Sequence, residues 1–228
     1  MEGNQPAGAR LELMQGGLLE EPRLPRVLSM RDLELRLGDP LGSFPPGHHL
    51  AGHWMGAHGF PRPVSVRLIP RTQAESWRRV VRRLANQRHG AYPDVYRLEQ
   101  WEDYVCAVAE PLAGMSLAQW LTSRRSLSPR RVLALAWQTA WALAWAHERG
   151  VAHGNLCESL VWLTPERHVK LLDWGVAGPG SALADCQAYE RLFSGLGLSP
   201  DTEWANTAEA VRWFEARHRR FSVYERLP

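Results

Sequence analysis

The sequence predicts an α+β fold in two unequal lobes, a small antiparallel sheet carrying one helix followed by a mainly helical half. Three observations predict it. From Leu33 to about Ile69 short apolar runs are cut by Gly and Pro, the punctuation of strands and turns, and two more strand candidates lie at Val95–Gln100 and Tyr104–Glu110. One amphipathic helix interrupts them at about Gln73–Asn86. Beyond residue 111 helical periodicity takes over, with one long stretch that is apolar nearly all round. A chain of 228 residues can bury a full core in such an arrangement. With 45% hydrophobic and 22% charged residues its composition is globular rather than disordered.

Taken in order, residues 1–30 mix Gly, Pro, Glu and Arg without sustained periodicity, and a flexible leader or edge segment is expected there. The sheet lobe follows over 31–110. Its strand signals include Val64-Ser65-Val66-Arg67-Leu68-Ile69, Val95–Gln100 and Tyr104–Glu110, the last two joined by Trp101-Glu102-Asp103. In the intervening helix Trp77, Val80, Val81 and Leu84 share one face, while Arg78, Arg79, Arg82 and Arg83 fall mostly on the other. The helical lobe, 111–228, opens with a short helix from Ser116 to about Ser123. Ser128-Pro129 then supplies an N-cap and an N1 proline for a helix running to Arg149 and stopped by Gly150. Trp137, Trp141 and Trp145 recur along it every four residues, which reads either as a docking stripe or as an aromatic core face. Two strand-like runs, Leu160–Leu163 and Val169–Leu172, and two helices, Asp185–Leu196 and Thr207–Arg219, complete the chain.

Charge and cysteine content exclude several functions. The net charge of +3 is too small to announce a nucleic-acid binder. The arginines of the sheet-lobe helix, with Arg217, Arg219 and Arg220, lack the interleaved aromatics that stack bases, so nucleic acid is not an expected partner. Three cysteines, Cys106, Cys157 and Cys186, have no C-x-x-C pair, and reduced thiols are expected. Alternation places His49 and His53 on one strand face without companions at ligand spacing, which does not make a metal site. No signal-peptide pattern and no apolar run of membrane-spanning length is present, so no membrane insertion and a cytoplasmic location are expected. Of the 27 Lys plus Arg, a single residue, Lys170, is lysine. Any chemistry that needs a lysine elsewhere is thereby ruled out.

The order of elements and the residues within them resemble the protein-kinase-like superfamily, over about residues 33–198. Gly150-Val151-Ala152-His153-Gly154-Asn155-Leu156 is similar to the catalytic loop, and Val169-Lys170-Leu171-Leu172-Asp173-Trp174-Gly175 to the metal-binding Asp-Phe-Gly segment. Val64-Ser65-Val66-Arg67 resembles the Val-Ala-Ile-Lys strand, and Gly42 and Gly47 match the ends of a Gly-rich loop. The resemblance implies ATP and magnesium as cofactors. It implies Asp173 as a magnesium ligand, and the carbonyl of Glu110 and N–H of Leu112 as the groups that read adenine. Asp185 is the implied anchor of the catalytic loop, and His153 a structural residue within it.

Four departures impair that chemistry. The catalytic base position holds Asn155, whose amide orients a hydroxyl but cannot take its proton. The second metal position, five residues on, is Leu160, which offers a hard cation nothing. The phosphate-holding lysine is replaced by Arg67, and the helix that should supply its Glu partner near Val80 has only Glu75, at its start. Between Gly42 and Gly47, Phe44 stands at the middle glycine, and Pro45 and Pro46 bring no N–H.

Only nine residues, Val176–Ala184, separate the Asp173 segment from Asp185, too few for an activation loop with a peptide platform. That shortening, with His153-Gly154-Asn155 and Asp173-Trp174-Gly175, also resembles the aminoglycoside and choline phosphotransferase branch. The expectation is a degenerate bacterial serine/threonine kinase domain, a pseudokinase acting as a regulatory scaffold for another protein, with ATP binding as a residual property. The alternative is a divergent ATP-dependent phosphotransferase using Asp173 as sole magnesium ligand.

Overall fold

The computed structural model describes residues 24–30, 33–42, 46–56, 59–84, 87, 89–123, 126–198, 200 and 204–217. The readings for most of the leader, for Phe44 and Pro45, and for Arg219 and Arg220 therefore lie outside the described residues.

Six strands form the first sheet: β1 (Val27–Met30), β2 (Leu33–Pro40), β3 (His48–Met55), β4 (Pro61–Pro70), β5 (Val95–Trp101) and β6 (Tyr104–Ala109). They are antiparallel in the order β1-β2-β3-β4-β6-β5. The end of the expected leader, Val27–Met30, is thus an edge strand, with Leu28 and Met30 buried against Leu33 and Leu35. One face of the sheet closes over an aliphatic core that includes Val64, Val66 and Leu68. The other face meets α1 (Glu75–Leu84), whose Trp77 packs with Ile69, Val105 and Ala107. Glu75 in the first turn and Arg82 and Arg83 in the last suit the helix dipole.

A capping box on Ser116 starts α2 (Leu117–Thr122), with Gln119 returning the bond to the Ser116 N–H. Ser128 caps α3 (Pro129–His147), its hydroxyl accepting from the Arg131 N–H. That helix is the axis of the larger core, which buries Trp137 completely. Trp141 and Trp145 are half-buried and lie against His89, at ring separations of 4.2 and 4.7 Å, so the tryptophan stripe is largely internal. A small sheet of β7 (Met115–Ser116), β8 (Val161–Leu163) and β9 (Val169–Leu171) lies beside it. The chain ends in α4 (Ala182–Gly195) and α5 (Thr207–Arg217). Helix α4 starts three residues before the expected Asp185 because Ser181 caps it, accepting from the Ala184 N–H. All three cysteines are free thiols, and no described helix is long and apolar enough to cross a membrane.

Candidate active site

Strand alternation puts Ser65 and Arg67 of β4 on the face opposite Val64 and Val66, toward the cleft between the lobes. In register, His49 of β3 and Ala107 of β6 flank Arg67, and Ala109 flanks Ser65. The two alanines leave room. Between this row and α1 lies a cavity of about 310 Å³, whose far side is made by Tyr92, Leu171 and Trp174.

Across the cleft, Asp173 follows β9 with φ of 61°, a left-handed conformation that costs a non-glycine residue on the order of 1 kcal/mol. It is held by its surroundings. The Gly175 N–H donates to the His153 carbonyl, and a side chain at Gly175 would strike Val80 of α1. Trp174 is buried against His153 and Tyr92, with its indole N–H donating to the Leu171 carbonyl.

Arg67 and Asp173 meet directly. Nε donates to Oδ1 and Nη2 to Oδ2, both at 2.8 Å, and each side chain is only 5% exposed. Nη1 donates to the carbonyls of His48 and Leu68 at 3.1 and 3.2 Å, so all three guanidinium nitrogens are engaged. No carboxylate of α1 takes part: Glu75 is exposed, with Arg79 as its partner at 3.9 Å. Val80, the residue expected near the missing Glu, faces Gly175 and the cavity instead.

The remaining predicted site residues are dispersed. Lys170 forms an ion pair with the Glu110 carboxylate and donates to the Gly90 carbonyl. The Glu110 carbonyl accepts from the Ser65 hydroxyl at 2.9 Å. Leu112 is buried with Leu160, Trp162 and Leu172, and Leu41 of the opposite lobe packs on this group. Gly42 is half-buried beside Leu41, whose carbonyl accepts from the Gln119 side chain. Gly47 needs its glycine for a local reason: φ is 88°, and a Cβ would lie 2.1 Å from the Leu68 carbonyl oxygen.

Asp185 is buried at the N-terminal turn of α4 and accepts from the N–H groups of His153 and Gly154 at 2.6 and 2.8 Å. It also accepts from His147 Nε2 at 2.8 Å, and His147 Nδ1 meets the Thr207 hydroxyl at 3.0 Å. Burial alone would push the Asp185 carboxyl up, but these three donors outweigh it and hold it below the ordinary carboxylate range. Burial lowers the His153 imidazole to about 4 despite the Asp185 and Asp173 carboxylates, so the ring is neutral at physiological pH. Asn155 is exposed beyond it, its N–H donating to His153 Nδ1.

Sequence reasoning placed Arg67 and Asp173 in one site but not in contact, and it missed the partners of Lys170, Ser65 and His147. For Ser65 the signal was present, since alternation from Arg67 puts both on one face. The others are long-range pairs with no local pattern.

A magnesium–triphosphate fits this donor set poorly. Both oxygens of Asp173 are committed to a guanidinium, which would repel an incoming dication, and Leu160 sits in hydrocarbon. Among the described residues no group of three or more His, Cys, Asp or Glu could hold a metal ion.

Residues 36–189, about two thirds of the chain, match the family described as protein tyrosine and serine/threonine kinase. The chain belongs to the protein kinase family. It is 32% identical over 107 residues to a probable serine/threonine-protein kinase of Streptomyces coelicolor, covering 44% of this chain and 16% of that protein. To serine/threonine-protein kinase pkn2 of Myxococcus xanthus it is 28% identical over 182 residues, 75% of this chain and 21% of the relative. To PrkC of Bacillus subtilis it is 25% identical over 125 residues, 55% and 19%. The chain spans about a fifth of the length of these curated relatives.

Proposed function

We propose that this chain is a catalytically impaired kinase-like domain that acts as a binding or regulatory module for another protein. The observation that carries the reading is the buried bidentate pair of Arg67 and Asp173. In phosphoryl transfer by this fold, a cation on the strand grips phosphate and the carboxylate grips the metal. Here the two neutralise one another. Asn155 without a titratable proton and Leu160 without a ligand atom support the same conclusion.

The backbone favours the alternative, a divergent phosphotransferase, in one respect: the catalytic loop is tethered to Asp185 and Asp173 keeps its left-handed turn. Incubation with radiolabelled ATP and magnesium decides between them. The expected result is no labelled product above a boiled control, with peptide, small-molecule or self as acceptor. Turnover that vanishes in Asp173→Ala would establish the phosphotransferase and overturn the proposal.

A further inference from the structure

We propose that the cavity beside Ala109 binds a small, uncharged, planar aromatic molecule rather than a nucleotide. The proposal deepens the reading above and rests on it, because it takes the Arg67–Asp173 pair as closed to phosphate and metal.

The cavity exists because β6 presents Ala107 and Ala109 where β4 presents Arg67 and Ser65. At about 310 Å³ it lies within the size range of small-ligand sites, and apolar walls are what such sites have in common. Flat aromatic surface comes from three directions: Trp77 on α1, Tyr92 before β5, and Trp174 after Asp173. Val80 and Leu84 complete the helix side. Offset and edge contacts with such rings favour a flat, polarizable guest.

Three polar side chains of the lining are engaged with protein partners. Arg67 and Asp173 hold each other, and the Ser65 hydroxyl is given to the Glu110 carbonyl. His49 is buried beside Arg67, and desolvation lowers its imidazole to about 4, so it brings no positive charge at neutral pH. Asp94, at the exposed edge, adds a negative group. A polyphosphate would thus enter against a carboxylate and find, among the described lining residues, no cation but the Arg67 already paired with Asp173. A neutral guest pays neither penalty, and burying its apolar surface is favourable.

The test titrates N-phenylnaphthylamine, a neutral dye that fluoresces in apolar surroundings, into the full chain. Saturable one-to-one binding is expected, with quenching of tryptophan emission from Trp77 and Trp174 and a raised melting temperature. Excess Mg-ATP should leave it unchanged. Ala109→Phe, which fills the cavity from the sheet, should weaken binding by at least about tenfold. Val80→Phe enters the same space from α1 and decides the matter if the first variant does not fold. Phe60→Ser, at an exposed hydrophobic residue 79% accessible on the β3–β4 turn, should have no effect. Absence of saturable binding, displacement by Mg-ATP, or binding unaltered in a folded cavity-filling variant would overturn the proposal. None of these outcomes touches the impaired-kinase reading, which falls only if phosphate is transferred.

Discussion

Arg67 and Asp173 stand 106 residues apart in the chain and 2.8 Å apart in the fold. A charge pair buried this deeply is held by its geometry, and removing one member strands the other in a low dielectric. Asp173→Ala should therefore destabilise the protein by about 3–5 kcal/mol, and Arg67→Met by a similar amount. The double substitution Arg67→Met, Asp173→Leu should recover most of that loss, since two apolar groups of similar volume replace two desolvated charges. Urea denaturation of the four proteins measures the cycle; additive losses would show that the pair is not coupled. A single lysine in the whole sequence already excluded any lysine from this strand. That the arginine in its place would close onto Asp173 was not legible, because nothing in local sequence encodes which acid lies across a cleft.

Among the elements, α4 is the one whose position governs the loop at His153–Gly154. Asp185 in its first turn receives two loop N–H groups and His147, so one carboxylate joins α3, α4 and the segment His153–Gly154. Asp185→Asn removes the charge and turns an amide NH₂ toward donors. Stability should fall by about 2 kcal/mol, and the amides of His153 and Gly154 should exchange faster with solvent by native-state hydrogen exchange. Unchanged exchange at those two amides would mean that the loop is held by something else. The helices themselves were legible where capping chemistry was explicit, as at Ser128-Pro129 and Gly150. Ser181 was overlooked as the cap of α4, and β1 carried too short an alternation to be read as a strand. Its four residues gain their structure from pairing with β2.

At the scale of the whole molecule, three histidines among the described residues titrate with folding. Burial lowers His49, His89 and His153 to about 4, against an ordinary value of 6.5. The folded chain keeps them neutral while the unfolded chain protonates first. Their contribution is thus fully present above pH 6.5 and is lost as pH falls from 6.5 toward 4, each adding a slope of up to about 1.4 kcal/mol per pH unit. Asp185, held below the carboxylate range, adds its own loss only at still lower pH. Urea midpoints should fall steadily from pH 7.5 through 6 to 5, and His49→Gln should flatten part of the slope; constant midpoints over that range would contradict neutral burial. The lobes themselves are joined by Arg67 with Asp173, by Lys170 with Glu110, and by Leu41 on the Leu160 and Trp162 floor.

The sequence by itself determined the two-lobed α+β class, the family resemblance and the absence of any lysine but Lys170, while the vacant roles at Asn155 and Leu160 are what that resemblance implies. Those are properties of residue type, periodicity and spacing, which short-range backbone and burial preferences translate directly into structure. Only the tertiary structure decided that the cation and the carboxylate satisfy each other, that Leu41 and Leu112 close on Trp162, and that Ala107 and Ala109 open a cavity behind them. Each of these depends on which side chains meet across strands and lobes far apart in the chain, and on the volume left between them.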